Sequence, residues 1–300
     1  DNNESELFFL GEEYRDFRNV HLFVSDVRHK EDLVRKCEGV DVVLHAAALK
    51  HVILCERSPQ EAVQTNILGT QNVIEAALAQ NVERVLFTSS DKAVNPTNVM
   101  GTSKLMGERL MTAANALRRG GRPIFASTRF GNVLGSRGSV IPLFKRQIEK
   151  GGPVTLTDPR MTRFIMTLEE AVELVLDSVF LAHGGEVFVT KMPAIRIEDL
   201  ARAMIAELAG EDAEIEIKVI GMKPGEKLYE ELMSEEETRR TLELDKYFVI
   251  TPAFRNVYET IHYQYEGVRR ERIEKAYNSS SQPCMPLDEL RAYLKKHHLI

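Results

Sequence analysis

The order in which short apolar runs and helical patterns succeed one another constrains this chain most. Val20–Val24 is an apolar run with strand character, and a polar helical stretch follows from about His29 to Cys37. Val40–His45 is the next strand, β-branched and buried in type. A long helix is predicted from Pro59 to Gln80, with Val63, Ile67, Val73 and Ala77 near helical spacing. A strand at Arg84–Thr88, a helix from Asn98 to Arg118 and a strand at Pro123–Arg129 complete the series. Strands alternating with helices of this length predict βαβ units, hence an α/β fold with a Rossmann-like, doubly wound parallel sheet.

The pattern loosens after Asn132. Gly135, Gly138, Gly151-Gly152-Pro153, Pro159, Pro193 and Pro224 punctuate it. Helices at Leu168–Leu181 and Ile197–Leu208 alternate with short strands at Glu186–Val189 and Ile215–Ile220. The expected organisation is a dinucleotide-binding domain over 1–132. A smaller substrate-binding α/β lobe would occupy 133–300, with some segments returning to the first core.

Ligands of open parallel sheets bind at the carboxyl ends of the strands. Four such ends are polar or small: Asp26, His45–His51, Ser89–Lys92 and Arg129–Asn132. Each alone reads as ordinary loop polarity, but four in series read as a site. The densest is the third, where Ser90, Asp91, Lys92 and Lys104 fall within fifteen positions. Met100, four residues before Lys104, stands where many dehydrogenase-like enzymes carry a tyrosine, and it has no proton to exchange.

The formal net charge of -6 lacks the basic footprint of a general nucleic-acid binder. Three scattered cysteines suggest reduced thiols in a cytoplasmic protein. The eight histidines show no metal-ligand spacing. No apolar run reaches the length of a membrane helix.

Several motifs carry a resemblance: His45-Ala-Ala-Ala-Leu-Lys-His51, Thr65-Asn66-Ile-Leu-Gly69-Thr70, Ser90-Asp91-Lys92-Ala-Val-Asn95-Pro96 and Met100-Gly-Thr-Ser-Lys104. They continue in Arg129-Phe-Gly-Asn132, Arg137-Gly-Ser139, Met161-Thr-Arg163-Phe and Lys223-Pro-Gly225-Glu226-Lys227. With them the chain resembles the extended short-chain dehydrogenase/reductase superfamily, and within it the UDP-N-acetylglucosamine 4,6-dehydratases of polysaccharide biosynthesis. The Asp-Lys-Ala-Val-Asn-Pro block is the most specific motif. Lys191-Met192-Pro193 and Tyr277-Asn278-Ser279 resemble the subgroup that inverts carbon 5.

The resemblance implies NAD as cofactor, a UDP-sugar as substrate and a homo-oligomer. It implies oxidation of the sugar at carbon 4, loss of the carbon 5 proton and the carbon 6 hydroxyl as water, and reduction at carbon 6. Elimination needs an acid and a base on one edge of the sugar. Asp91 and Lys92 match those roles, with Ser90, Met100 and Lys104 beside them. With methionine at position 100, the carbon 4 hydroxyl proton would go to Asp91 or to a water held by Asp91 and Ser90. Asp1, Asp26, Val27, Ala46, Ala47, Lys50, Asn66 and Lys104 match cofactor positions. Asn66 reads equally as a helix residue bonding backbone. Asn132, Arg137, Ser139, Arg163 and Glu226 match substrate positions, Arg163 foremost for a diphosphate. An acid near the adenosine ribose favours NAD over NADP.

One element of the pattern is missing: the chain contains no Gly-x-Gly-x-x-Gly. Relatives carry it about 20 residues before the ribose acid. The natural protein is therefore expected to extend about 30 residues upstream, and residues 1–300 alone to bind NAD poorly. Two other functions stay open at this point: a UDP-sugar 4-epimerase, which needs no Asp–Lys elimination pair, and a catalytically inactive NAD-binding regulator.

Overall fold

A computed structural model describes residues 1–118, 120–222, 224–254 and 261–300. The first elements are helix α1 (Glu4–Glu13), helix α2 (Lys30–Lys36), strand β1 (Val42–His45) and helix α3 (Val52–Arg57). Helix α4 (Pro59–Ala62) passes through a π-turn, Val63–Leu68, into α5 (Gly69–Ala79). Strand β2 (Arg84–Ser90), helix α6 (Val99–Ala114), β3 (Ile124–Phe130), β4 (Asn132–Val133) and α7 (Val140–Glu149) follow. Next come β5 (Val154–Leu156), β6 (Thr162–Met166), α8 (Leu168–Leu181), β7 (Val187–Thr190), β8 (Ala194–Arg196) and α9 (Ile197–Ala209). The last are β9 (Ile217–Val219), β10 (Glu231–Met233), β11 (Thr241–Glu243), β12 (Tyr247–Ile250), β13 (Tyr277–Asn278) and α10 (Leu287–Lys296).

The main sheet has the order β1-β2-β3-β7-β12-β11. Its first four strands are parallel, and β12 and β11 close it antiparallel. Helices cover both faces. On one, Val73, Ile74 and Ala77 of α5 and Met111 of α6 pack with Val85, Phe87 and Phe125. On the other, Leu174 and Val179 of α8 pack with Leu86, Ala126 and Phe188. Burial on both faces explains why β2 and β3 read as near-continuous apolar runs. A second core joins α7, α9 and α10 through Phe144, Leu200, Met204, Leu290 and Leu294. The part after residue 132 is thus divided: β7, β12 and β11 extend the main sheet, while β4, β6 and β8 form a separate one.

The helix predicted over 59–80 is present, with the π-turn inside it. Such turns frequently mark functional sites, and this one carries Asn66. The strand predicted at Val20–Val24 is absent. Val20, Phe23 and Val24 are exposed, and the ladder-like bonds nearby are Ser25 N–H to the Asp1 carbonyl, 2.9 Å, and the Asp1 amino group to the Phe23 carbonyl, 3.4 Å. An apolar run becomes a strand only where a neighbour completes its hydrogen bonds, and here, among the described residues, Asp1 alone bonds its C-terminal end. After Asp1 and Asn2, the Asn3 side chain accepts from Glu6 N–H and starts α1. Lys223 of the Lys-Pro-Gly-Glu-Lys motif lies outside the described residues.

Candidate active site

Parallel register brings His45, Ser90 and Phe130 to one rim of the sheet. A pocket of about 1000 Å³ opens there, and it includes Asp91, Lys92, Met100, Lys104, Asn132 and Glu230. Ser90 ends β2 and caps a single 3-10 turn, Asp91–Ala93, accepting from Lys92 N–H at 3.2 Å. Asp91 is buried. Its Oδ1 accepts from Ser90 Oγ (2.5 Å), Lys92 N–H (2.8 Å) and Lys92 Nζ (3.1 Å), while its Oδ2 is buried with no partner.

Helix α6 delivers Met100 and Lys104 to the same place. Asn98 caps it by accepting from Gly101 N–H at 2.8 Å. Gly101 must be glycine, because a Cβ there would lie 2.2 Å from the Lys92 carbonyl oxygen. Lys104 Nζ donates to the Thr88 carbonyl at 2.8 Å and stands over the Phe87 ring. Burial outweighs the attraction of Glu108 and brings its pKa down to about 8. Met100 is buried against Cys55 and Ala62, so it fills space without offering a proton.

Some expected residues are held elsewhere. Asn66 accepts from Leu49 N–H (2.7 Å) and donates to the Leu49 carbonyl and to Ser103 Oγ. It ties the π-turn to α6 and to the loop after β1 rather than facing the pocket. Arg163 is buried, and its Nη donors serve the carbonyls of Thr162 (2.7 Å), Lys227 (2.9 Å) and Leu228 (3.2 Å). Its guanidinium thus lines the pocket and clamps the segment after Gly225. Arg137 is exposed and paired with Glu6, outside the pocket lining. Asp26 is bonded by Arg28 and Asn2, and the Arg28 hydrogen bond outweighs burial to hold its carboxyl well below the usual range. Val27 packs over Gly69, and Asp1 is exposed at the surface. Ala46 and Lys50 line the pocket, whereas Ala47 is exposed outside its lining. Asn132, Ser139 and Glu226 line it too, and Ser139 Oγ is buried without a partner.

The structure adds residues that carried no role in the sequence reading. Glu230 is 3% exposed and places Oε1 3.5 Å from Lys92 Nζ and 3.4 Å from Arg163 Nε. Burial and the nearby Asp91 charge raise its pKa against the pull of Lys92, Arg163 and Lys227. Burial lowers the Lys92 pKa, but the carboxylates of Asp91 and Glu230 outweigh burial and Arg163 and leave it above the ordinary lysine value. No local pattern marks Glu230, which is one of two adjacent acids and is selected by the fold alone. His45, buried on β1, contacts Thr70 Oγ1 at 3.0 Å, and that hydroxyl donates to the Asn66 carbonyl. The single hydroxyl proton is thereby used, so His45 Nε2–H is the donor. Burial and Lys104 lower the His45 pKa to about 3 and keep the ring neutral.

The segment after Gly225 closes one side of the pocket. Lys227 Nζ donates to the Val94 carbonyl (2.8 Å), and Asn98 Nδ2 donates to the Gly225 carbonyl (3.1 Å). Among the described residues no group of three or more His, Cys, Asp or Glu could hold a metal ion. No helix among them is long and apolar enough to cross a membrane.

Fold and site together define an extended short-chain dehydrogenase/reductase, with an Asp–Lys pair at the end of a central strand. Residues 1–252 match the family described as polysaccharide biosynthesis protein, and the chain belongs to that family. It is 49% identical over 300 residues to an uncharacterized membrane protein of Methanocaldococcus jannaschii, covering 99% of this chain and 86% of the relative. A UDP-N-acetylglucosamine 4,6-dehydratase (inverting) of Campylobacter jejuni is 40% identical over 87% of this chain and 77% of its own. A UDP-glucose 4-epimerase of Rickettsia massiliae is 42% identical over 93% of this chain and 81% of its own. Among solved structures, Pen from Bacillus thuringiensis matches with a TM-score of 0.90 and 42% identity, over 100% of this chain and 88% of that one. The dTDP-glucose 4,6-dehydratase of Streptomyces venezuelae, solved with NAD, shares the fold at a TM-score of 0.64 and 20% identity, over 72% of each chain.

Proposed function

We propose that the protein is an NAD-dependent 4,6-dehydratase of a UDP-N-acetylhexosamine, UDP-N-acetylglucosamine first, serving surface polysaccharide or glycan synthesis. The observation that carries this reading is the Asp91–Lys92 pair, held by Ser90 at the rim of the pocket. The dehydratase relative in Campylobacter supports it. Unpaired Cys37, Cys55 and Cys284 suit a reducing cytoplasm.

The residues present fit the nicotinamide end of the dinucleotide. Ala46 and Ala48 leave the pocket wall open, Lys104 is fixed at its floor, and Ser89 Oγ is buried with no partner of its own. The adenosine end falls to Asp1, Asp26 and Val27. When bound, NAD would supply a reversible hydride carrier, taking hydride from carbon 4 and returning it to carbon 6.

This chain's own residues handle the protons. Asp91 has one oxygen bonded three times and the other unpartnered, which supports its taking the carbon 4 hydroxyl proton and protonating the departing carbon 6 hydroxyl. Lys92 takes the proton from carbon 5, which the neighbouring ketone acidifies. Asn132, Ser139, Arg163 and Glu226 are assigned to the UDP-sugar.

The epimerase relatives favour a second reading, oxidation at carbon 4 followed by return to the opposite face. NMR of the product from UDP-N-acetylglucosamine, with NAD supplied, separates the readings. A 4-keto-6-deoxy sugar supports dehydration, the galacto isomer an epimerase, and unchanged substrate an inactive NAD-binding regulator.

A further inference from the structure

Lys92 poses a chemical difficulty. A base must be free of its proton when it acts, yet this amine stands 3.1 Å from Asp91 Oδ1 and 3.5 Å from Glu230 Oε1. Two anions at such distances favour the ammonium form. The same geometry supplies the remedy. Glu230 is buried, and its Oε2 has no hydrogen-bond partner. The backbone around it is rigid: Glu230 N–H donates to Ser279 Oγ (3.0 Å), Ser279 N–H donates back to the Glu230 carbonyl (2.9 Å), and Ser279 Oγ also contacts Thr162 Oγ1.

Resting on the dehydratase reading, we propose that Glu230 is the terminal acceptor of the carbon 5 proton, reached through Lys92. In the step, one N–H bond of the Lys92 ammonium breaks and an O–H bond forms on Glu230. The neutral amine then takes the carbon 5 proton, and the C–H electron pair becomes the new double bond to carbon 6. The carbon 6 hydroxyl leaves as water with the proton from Asp91. Lys92 ends as it began, and the net transfer is from carbon 5 to Glu230. Return of the proton through Lys92 would retain the configuration at carbon 5. Inversion takes a proton delivered to the opposite face, after which Glu230 releases its own to solvent, and the charges balance on either route.

The surrounding groups suit a carboxyl that gains and loses a proton. Asp91 faces it from the 3-10 turn and disfavours its charge, while Lys92 from the same turn, Arg163 from β6 and Lys227 from its own segment favour it. Lys227 is shared with Glu231, 3.4 Å away. Raised from the ordinary carboxylate value, Glu230 is a better proton acceptor than a surface glutamate. Glu230 acts through Lys92, so it is a positioning and relay residue.

Two measurements test this. The first follows the Lys92 amine by NMR against pH in the protein without substrate, as wild type and as Glu230→Gln. The expected result is a fall in its pKa of about one unit in the variant. An unchanged Lys92 titration would overturn the coupling. The second follows deuterium entry at carbon 5 during turnover in heavy water. Glu230→Gln should slow it by roughly 100-fold and abolish the loss of rate on the acid side that marks protonation of Glu230. Glu230→Asp should recover much of the rate and keep the acid limb, and this variant decides the matter if the glutamine variant does not fold. Wild-type rate and an unmoved pH profile in Glu230→Gln would overturn the relay. A wild type that dehydrates no UDP-sugar would sink the dehydratase reading and the relay with it, while the Lys92 titration still decides the ion triad by itself.

Discussion

A methyl group placed on Gly101 would lie 2.2 Å from the carbonyl oxygen of Lys92. Helix α6 and the turn that carries Asp91 and Lys92 are thus in backbone contact, and the spacing of the acid–base pair from Lys104 depends on it. A backbone oxygen cannot swing aside as a side-chain tip can, so Gly101→Ala must shift the turn or the helix. The expected result is a loss of roughly 100-fold in kcat with a much smaller change in KM, since misplacing reacting groups by about 1 Å costs that much. Steady-state kinetics with NAD supplied checks it, and near wild-type kcat would show that the spacing does not matter.

Met100 and Lys104 lie one helical turn apart, but only Lys104 has a polar atom in the pocket. Met100 packs on Cys55 and Ala62. Met100→Ala should lower stability by about 2–5 kcal/mol and reduce activity by less than roughly tenfold. Lys104→Ala should reduce activity by roughly 100-fold or more. Denaturant unfolding and initial rates on both variants make the comparison. Equal losses would give the thioether a part in the catalytic geometry.

Arg129 is fully buried between Glu108 and Glu237, with hydrogen bonds of 2.7–2.9 Å to their carboxylates. Arg129→Met would strand two acids in the core, and a loss of about 3–5 kcal/mol is expected in denaturant unfolding. Burial alone would raise the Glu237 pKa, but Arg129 and the Ser234 N–H outweigh it and bring it down to about 2. A depressed carboxyl stabilises the fold above its ordinary pKa of 4.5, and that stabilisation is lost as pH falls toward about 2. Glu237→Gln should therefore show a flatter stability profile than wild type between those values. A profile parallel to wild type would place the acid sensitivity elsewhere.

The parallel sheet and its polar rim were legible because burial on both faces writes itself into apolar runs such as Arg84–Thr88 and Pro123–Arg129. The Asp91–Lys92 pair was legible because the two residues are adjacent and end such a run. Other features depend on what the fold brings near. Val20–Val24 has strand composition, but among the described residues Asp1 is the only distant one that bonds its backbone, at Phe23. Arg163 lines the pocket as the motif suggested, but its bonds to the carbonyls of Lys227 and Leu228 come from segments that no local pattern connects to it. Asn66 reads alike as ligand or backbone clamp until Leu49 appears beside it. Glu230 sits far along the chain from Lys92, and no spacing rule in sequence connects them.

The central claim is that Asp91 and Lys92 remove water from the sugar instead of merely permitting oxidation at carbon 4. The most direct measurement uses UDP-N-acetylglucosamine carrying deuterium at carbon 4, turned over by the protein with NAD supplied, and locates the label by NMR. The account predicts deuterium at carbon 6 of a 4-keto-6-deoxy product in the wild type, and no such product from Asp91→Asn. Deuterium retained at carbon 4 of the galacto isomer would contradict it.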